Sequence, residues 1–352
     1  MRYPGRSGIR AATAVLGIAT ALAAVLPQAT AQRDVAHIDP AALSRGADPD
    51  VPHLVRDTIR DGDLRIKATT RGRHHALWVV AGGYLVRDYN VGPERRTVLT
   101  FVDPDGNRRR VARSRGWIEA QVSPGGRRLA VQTWRRPLEQ RSVITVTRPR
   151  SGRVVARTEL RLATLAAVTH SRVLLGRRAH WHDPATQWWN YERGTLRRIH
   201  GQAALGADTR QDTVVFSAPA RGEFCNRVAV LSHPRRTLWR SCRVAPHRWS
   251  ADGEHVLTTR AYFDAAGTDR WWVADGRTAK RQARVAGRLD WHAVWEDDAH
   301  FLTLAQSDAG RAAILRCDLA GACERASRIW RVPLPSEPSL YYAPPPVVLV
   351  DR

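Results

Sequence analysis

A phrase shaped for the corner between two β-strands recurs along this 352-residue chain at a fixed distance. Val122-Ser123-Pro124-Gly125-Gly126-Arg127-Arg128-Leu129-Ala130-Val131 returns as Trp249-Ser250-Ala251-Asp252-Gly253-Glu254-His255-Val256-Leu257-Thr258. A looser copy is Trp295-Glu296-Asp297-Asp298-Ala299-His300-Phe301-Leu302-Thr303. Ser123 and Ser250 stand 127 residues apart, three steps of about 42, the period of a four-stranded sheet repeated around an axis.

Hairpin tips supply a second ruler, because Gly with Asp, Asn or Pro tolerates or presets the turn. Tips are predicted at Asp61-Gly62, Asp105-Gly106, Ser151-Gly152, Arg193-Gly194, His233-Pro234, Asp275-Gly276 and Ala320-Gly321, at steps of 44, 46, 42, 40, 42 and 45. Their flanks, such as Val98–Val102, Ser142–Val146 and Arg227–Leu231, are short, rich in β-branched residues and apolar on both parities. That suits sheets covered on both faces. Beyond the N-terminal segment no long amphipathic helical stripe occurs. A single hairpin, Leu54-Val55 through Gly62 to Ile66, precedes the first full repeat; Leu340–Ala343 and Val347–Val350 follow the last. The expectation is all-β: a seven-bladed β-propeller with a composite closing blade, two strands from each chain end, so that no edge is left open there.

The Ser-Pro-x-Gly-x-x-Leu-Ala phrase at Ser123 and its relative at Ser250 resemble the blade signature of WD-repeat-like and TolB-like bacterial propellers, over roughly residues 53 to 350. The Gly-His and Trp-Asp dipeptides of the eukaryotic pattern are absent, so the resemblance implies the fold and not that family's interaction surfaces. The tail hairpin Leu315–Ala326 is similar to uncharacterised secreted propellers of high-GC bacteria.

Arg2, Arg6 and Arg10 head an apolar run from Ala11 to Leu26, with the small-x-small site Ala29-Thr30-Ala31 before Gln32. Residues 1–31 therefore read as a secretory signal; the alternative is an uncleaved anchor, for which the run is short against a span of about 20 residues. Residues 32–52 read as a flexible lead-in and 53–352 as a single propeller domain. Cys225 and Cys242 are equidistant from the His233-Pro234 tip, and Cys317 and Cys323 from Ala320. Each pair faces across a hairpin and is expected to be a disulfide rather than a zinc site. The mature protein is expected to be a monomer without a membrane span, secreted or associated with the cell envelope.

The formal net charge is +23, and since only Lys67 and Lys280 are lysines, 54 of the 56 basic residues are arginine. The skew matches high-GC codon usage, which leaves two readings open: a dedicated polyanion site, or a solvated basic surface. Among thirteen Trp, Trp188-Trp189 and Trp271-Trp272 lie 83 residues apart, two repeats, which predicts packing between blades. Trp134 and Trp181 are expected in longer connections, free to stack on a sugar or base.

With four strands per blade, the connections between second and third strands include Asp88–Glu94, Trp134–Gln140, Arg177–Thr186, Ser217–Glu223 and Tyr262–Asp269, all on one face. The densest polar group is Arg177-Arg178-Ala179-His180-Trp181-His182-Asp183. Arg135, Arg136, Arg177, Arg178 and Arg221 are expected to form a cationic rim holding phosphate or carboxylate groups by forked hydrogen bonds, with His180, Trp181, His182 and Asp183 beside them. His180, His182 and Asp183 have the chemistry of metal ligands, but a site needs a further ligand from another loop, so neither metal nor cofactor is expected.

No Gly-x-Ser-x-Gly elbow, His-Glu-x-x-His or Gly-x-x-x-x-Gly-Lys occurs. A carboxylate pair in the channel stays open as an alternative, with Asp183, Glu223 and Asp264 as loop carboxylates. Two functions follow: a non-enzymatic secreted propeller binding a protein partner or an anionic envelope polymer through its loop face, or a propeller hydrolase or lyase acting on extracellular polysaccharide. Clustered carboxylates at the channel mouth favour the enzyme; an Arg and aromatic mouth favours the binder.

Overall fold

The computed structural model describes residues 38–68, 73–91, 96–136, 141–177, 184–218, 224–261, 267–332 and 347–350. All belong to one unit, Val35–Arg352. Apart from one turn of 3-10 helix at Pro40–Ala42, every regular element among them is a β-strand, and the strands pair antiparallel, mostly with their chain neighbours. Arg73–Val80, Gly83–Val91, Arg96–Val102 and Arg108–Ser114 make the first four-stranded meander; three more begin at Ile118, Ala163 and Ala204. From Val244 onward eight strands share one sheet, because Arg281–Trp295 runs for 15 residues. Its first half pairs with Thr268–Asp275 and its second with His300–Gln306. The described sheets thus number six.

The remaining sheet joins both ends of the chain: Val347–Leu349 pairs with His53–Val55, which is followed by Thr58–Asp61 and Leu64–Lys67. Where the sequence predicts two strands from each end, this sheet holds three from one and one from the other. The extra turn has no Gly or Pro to mark it, because Arg56 itself takes the positive φ of 53°. Leu340–Ala343 lies outside the described residues. Sheets pack on their neighbours in chain order, and Val347–Leu349 touches both Arg73–Val80 and Arg281–Trp295, so the succession returns to its start.

The two-sided apolar pattern follows from this stacking. Leu129 and Val131 pack with Trp78, Leu99 and Ile118 toward the preceding sheet, while Ala130 between them packs with Ile144, Leu165 and Trp189 toward the following one. Trp188 and Trp189 likewise enter different clusters, and Trp271 is fully buried. Polar clasps cross the same interfaces. Buried Gln132 donates to Ala163 O (2.7 Å) and Ser142 Oγ (2.9 Å) and accepts from Leu165 N (3.1 Å). Thr186 donates to Gln202 O and accepts from Ala204 N; Arg87 donates to Ile118 O. Each ties one sheet to the first strand of the next, where the backbone lacks a ladder partner.

All seven predicted tips are hairpin turns, with φ of 53° at Gly62, 82° at Gly106 and 84° at Gly321. The recurring phrase is the turn from first to second strand, built the same way twice. Ser123 Oγ accepts from Arg128 N and Ser250 Oγ from His255 N, both at 3.0 Å. Gly126 N and Gly253 N donate back to the Ser123 and Ser250 carbonyls. Gly126 (φ 71°) is fixed by space as well as torsion, since a Cβ there would lie 2.5 Å from Ala81 N of the preceding sheet.

Residues 38–52, expected to be flexible up to the first strand, are held across the last sheet. Asp39 pairs with Arg311, Ser44 O accepts from Arg325 N (2.9 Å), Gly46 N donates to Arg325 O (2.9 Å), and Asp50 N donates to Glu296 (2.6 Å). The segment covers an edge strand, Cys323–Arg325, that would otherwise be open. Other outer strands carry their own protection: Arg108, Arg110 and Arg113, then Arg157 and Arg161, then Arg197 and Arg198, stud strands that are largely exposed. Much of the basic surplus therefore sits where charge deters edge-to-edge pairing.

Candidate functional site

Second strands in successive sheets run in the same sense, so Leu129–Arg136 and Arg172–Arg177 end at one face. Arg135 and Arg136 finish the first and Arg177 the second. Arg178, His180, Trp181, His182 and Asp183 lie outside the described residues, as do Arg221, Glu223 and Asp264. Trp134, expected in a connection, is within the strand and opposite Ser142. At two expected loop ends the chain is still strand: Asp88 is fully buried within Gly83–Val91, and Asp269 pairs with Arg260 (2.9 Å) and Arg270.

The large cavity among the described residues opens at the opposite end, where first strands turn into second strands. Its volume is about 500 Å³, and its wall is made by the inner strands around Val122, Val168, Asp208, Arg248 and Trp295. The turns carrying the recurring phrase, at Pro124 and at Ser250-Ala251, form its rim. Sequence reasoning placed the functional bet on the other face; the phrase that revealed the repeat also marked this mouth.

Carboxylates reach the mouth but serve the fold. Asp208 accepts from Arg210 N (2.8 Å) and Gln211 N (3.2 Å), closing its turn. Asp297 accepts from Ala299 N and His300 N, both at 2.7 Å. Burial pushes its carboxyl up, but the hydrogen bonds from His300 and Ala299 outweigh this and hold it below the usual carboxylate range. Glu296 is almost wholly buried as a side chain and takes a forked pair from Arg316, which also donates to Glu324 (2.8 Å). That network raises Arg316 above its already high ordinary value, the Glu296 hydrogen bond being the main cause.

The rest of the lining is mostly small and apolar, with Arg210, Arg248, His247, Trp78, Trp249 and Trp295 among it. Trp249 and Trp295, both buried, turn their indole N–H groups to Gly276 O (3.3 Å) and Arg248 O (3.0 Å). His247 lies 4.8 Å from the Trp271 ring, and Arg210 is exposed at the rim. Among the described residues no group of three His, Cys, Asp or Glu side chains is placed to hold a metal. Cys225–Cys242 and Cys317–Cys323 are both disulfides, as their symmetry about the tips predicts.

No protein-family model matches the chain, and no curated protein matches it in sequence. Many solved structures resemble it in shape. The propeller domain of the Trilobed protease from Pyrococcus furiosus aligns with a TM-score of 0.56 at 9% identity, covering 77% of this chain and 86% of that one. TolB from Acinetobacter baumannii aligns at 0.47 and 14% identity, covering 74% and 67%. The C-terminal WD40 domain of Sif2 aligns at 0.43 and 10%, covering 71% of each. At such identities the likeness speaks for the fold alone: with its ring of antiparallel four-stranded meanders, the chain is a β-propeller.

Proposed function

We propose that the protein is a secreted, non-enzymatic seven-bladed propeller that binds an anionic polymer of the cell envelope. Support for seven blades comes from the long strand Arg281–Trp295, whose pairing breaks between Leu289 and Ala293. Leu257, Trp271 and Val273 before the break pack on Phe301, Ala305 and Leu315 after it, as two neighbouring blades do. An experimental structure with six or eight separate blades would overturn this count.

The observation that carries the binding reading is that Leu129–Arg136 and Arg172–Arg177, second strands of successive sheets, both end in arginine at one face, while the carboxylates of the opposite mouth are committed to turns and to Arg316. In this reading Arg135, Arg136 and Arg177, at the ends of those strands, form the cationic rim together with Arg178. The test measures binding to an anionic wall polymer across a salt series, because screening weakens exposed charge contacts. Neutralising Arg135, Arg136, Arg177 and Arg178 together is expected to weaken binding at least tenfold more than neutralising Arg108, Arg109, Arg150 and Arg153 on the opposite face. Equal losses would mean a diffuse basic surface. Absence of binding with either set intact would leave a protein partner, and release of new reducing or unsaturated ends from polysaccharide would make the protein an enzyme.

A further inference from the structure

A second cavity, of about 210 Å³, lies at the seam between the sheet that joins the chain ends and its neighbour. Three separate stretches wall it: His53 and Arg60 from the joining sheet, Arg328 and Trp330 from the end of the last sheet, and Arg45 with Asp48 from the segment laid across that sheet. Three arginines converge there with one carboxylate. Asp48 is already paired to Arg45, which also donates to the Arg325 carbonyl (3.2 Å).

The guanidinium groups of Arg60 and Arg328 have no hydrogen-bond or ion-pair partner among the described residues, and the Arg60 Nε is buried. The Trp330 indole N–H, on a side chain only 6% exposed, is likewise buried without an acceptor. Buried donors are normally satisfied, and a cavity rich in donors and poor in acceptors is short of one kind of group: an acceptor with negative charge. The His53 ring does not supply it. Its Nδ1 donates to Val51 O (3.0 Å), and burial together with Arg60 keeps the ring uncharged near neutral pH.

We propose that this seam cavity binds a tetrahedral oxyanion of the phosphate type, held between the guanidinium groups of Arg60 and Arg328 with the Trp330 N–H as a further donor. Guanidinium forks match such oxygens in pairs, and the volume admits a phosphate carried on a small organic group as well as free phosphate. The site is independent of the loop-face reading. Its occupant ties the chain-end sheet to its neighbour, so binding stabilises the ring by linkage.

The experiment titrates inorganic phosphate, glycerol 1-phosphate and acetate into the purified full chain at constant ionic strength, read by calorimetry and by melting temperature. Saturable phosphate binding with a raised melting temperature is expected, and Arg60→Gln and Arg328→Gln should each weaken it at least tenfold. Arg328 is exposed, so its variant keeps the fold and separates lost binding from lost structure. Tighter glycerol 1-phosphate than phosphate assigns the ligand as a monoester; the reverse assigns the free ion. No saturable binding, acetate binding as tightly as phosphate, or an equal loss in an Arg150→Gln, Arg153→Gln control would overturn the proposal.

Discussion

Single polar side chains inside the propeller act as clasps, and Gln132 shows what one contributes. It satisfies two groups of the following sheet, Ala163 O and Leu165 N, as well as Ser142. Leucine of similar size keeps the packing but strands Ala163 O and Leu165 N, while Ser142 Oγ keeps its bond to Leu160 O (3.4 Å). Leaving a buried polar group unpaired costs about 1–3 kcal/mol, so Gln132→Leu is expected to destabilise by at least 2 kcal/mol in urea unfolding. A loss under 0.5 kcal/mol would mean the interface re-satisfies itself. His53 acts through its charge state. Burial, with Arg60 as a further cause, holds its pKa below the ordinary 6.5, so the unfolded chain binds a proton before the folded one does. Stability is then at its full value above pH 6.5 and falls as pH drops below it, toward the depressed folded value. His200, lowered by burial and then by Arg227, adds in the same direction. A His53→Phe variant should flatten the fall between pH 6.5 and 5, a window that closes before most carboxylates titrate.

Among the elements, the two bridged hairpins differ in what their disulfides constrain. Cys225–Cys242 closes 17 residues and Cys317–Cys323 only 6. Loop-closure entropy then predicts about 3 and about 2 kcal/mol respectively. Reduction should lower the melting temperature while leaving the far-ultraviolet spectrum of the folded chain in place, and Cys225→Ser with Cys242→Ser should cost more than the other pair. The reverse order would point to native-state packing around Cys317, which is fully buried in the last cluster. The segment Asp39–Asp50 has a related role, adding a partner to Cys323–Arg325 through Ser44 and Gly46. In this position it does at one sheet edge what the arginine-studded outer strands do at others.

For the whole molecule, the sheet that pairs the two chain ends is expected to contribute much of the stability. Val347–Leu349 is the sole described C-terminal strand in the joining sheet, yet it pairs with His53–Val55 and packs on both neighbouring sheets. Val347, Leu349 and Val350 are all buried, each worth about 1.5–3 kcal/mol. Ending the chain after Pro346 should therefore cost at least 5 kcal/mol and lower the melting temperature by about 10–20 °C. It should also promote association, because His53–Val55 becomes an open edge. A truncated chain that melts within 3 °C of the intact one would show that closure contributes little.

Repetition is what made this fold legible from sequence. The turn phrases at Ser123 and Ser250 specify side-chain bonds made within six residues, and five of the seven tips carry positive φ at a single glycine, so both were readable locally. Apolar runs on both parities, and adjacent tryptophans entering different clusters, encoded two-sided packing in the same local way. The symmetric cysteines likewise followed from register alone. What depends on strands far apart in the chain was not readable. Nothing near Arg56 announces its positive φ, and nothing near Asp39 predicts a partner in Arg311, 272 residues on. The mouth carboxylates could be counted in the sequence, but only the fold shows that Glu296 belongs to Arg316 and Asp297 to its own turn. Local turn and strand chemistry is written in consecutive residues; a site is a meeting of distant ones, and the packing of strands and sheets is what brings them together.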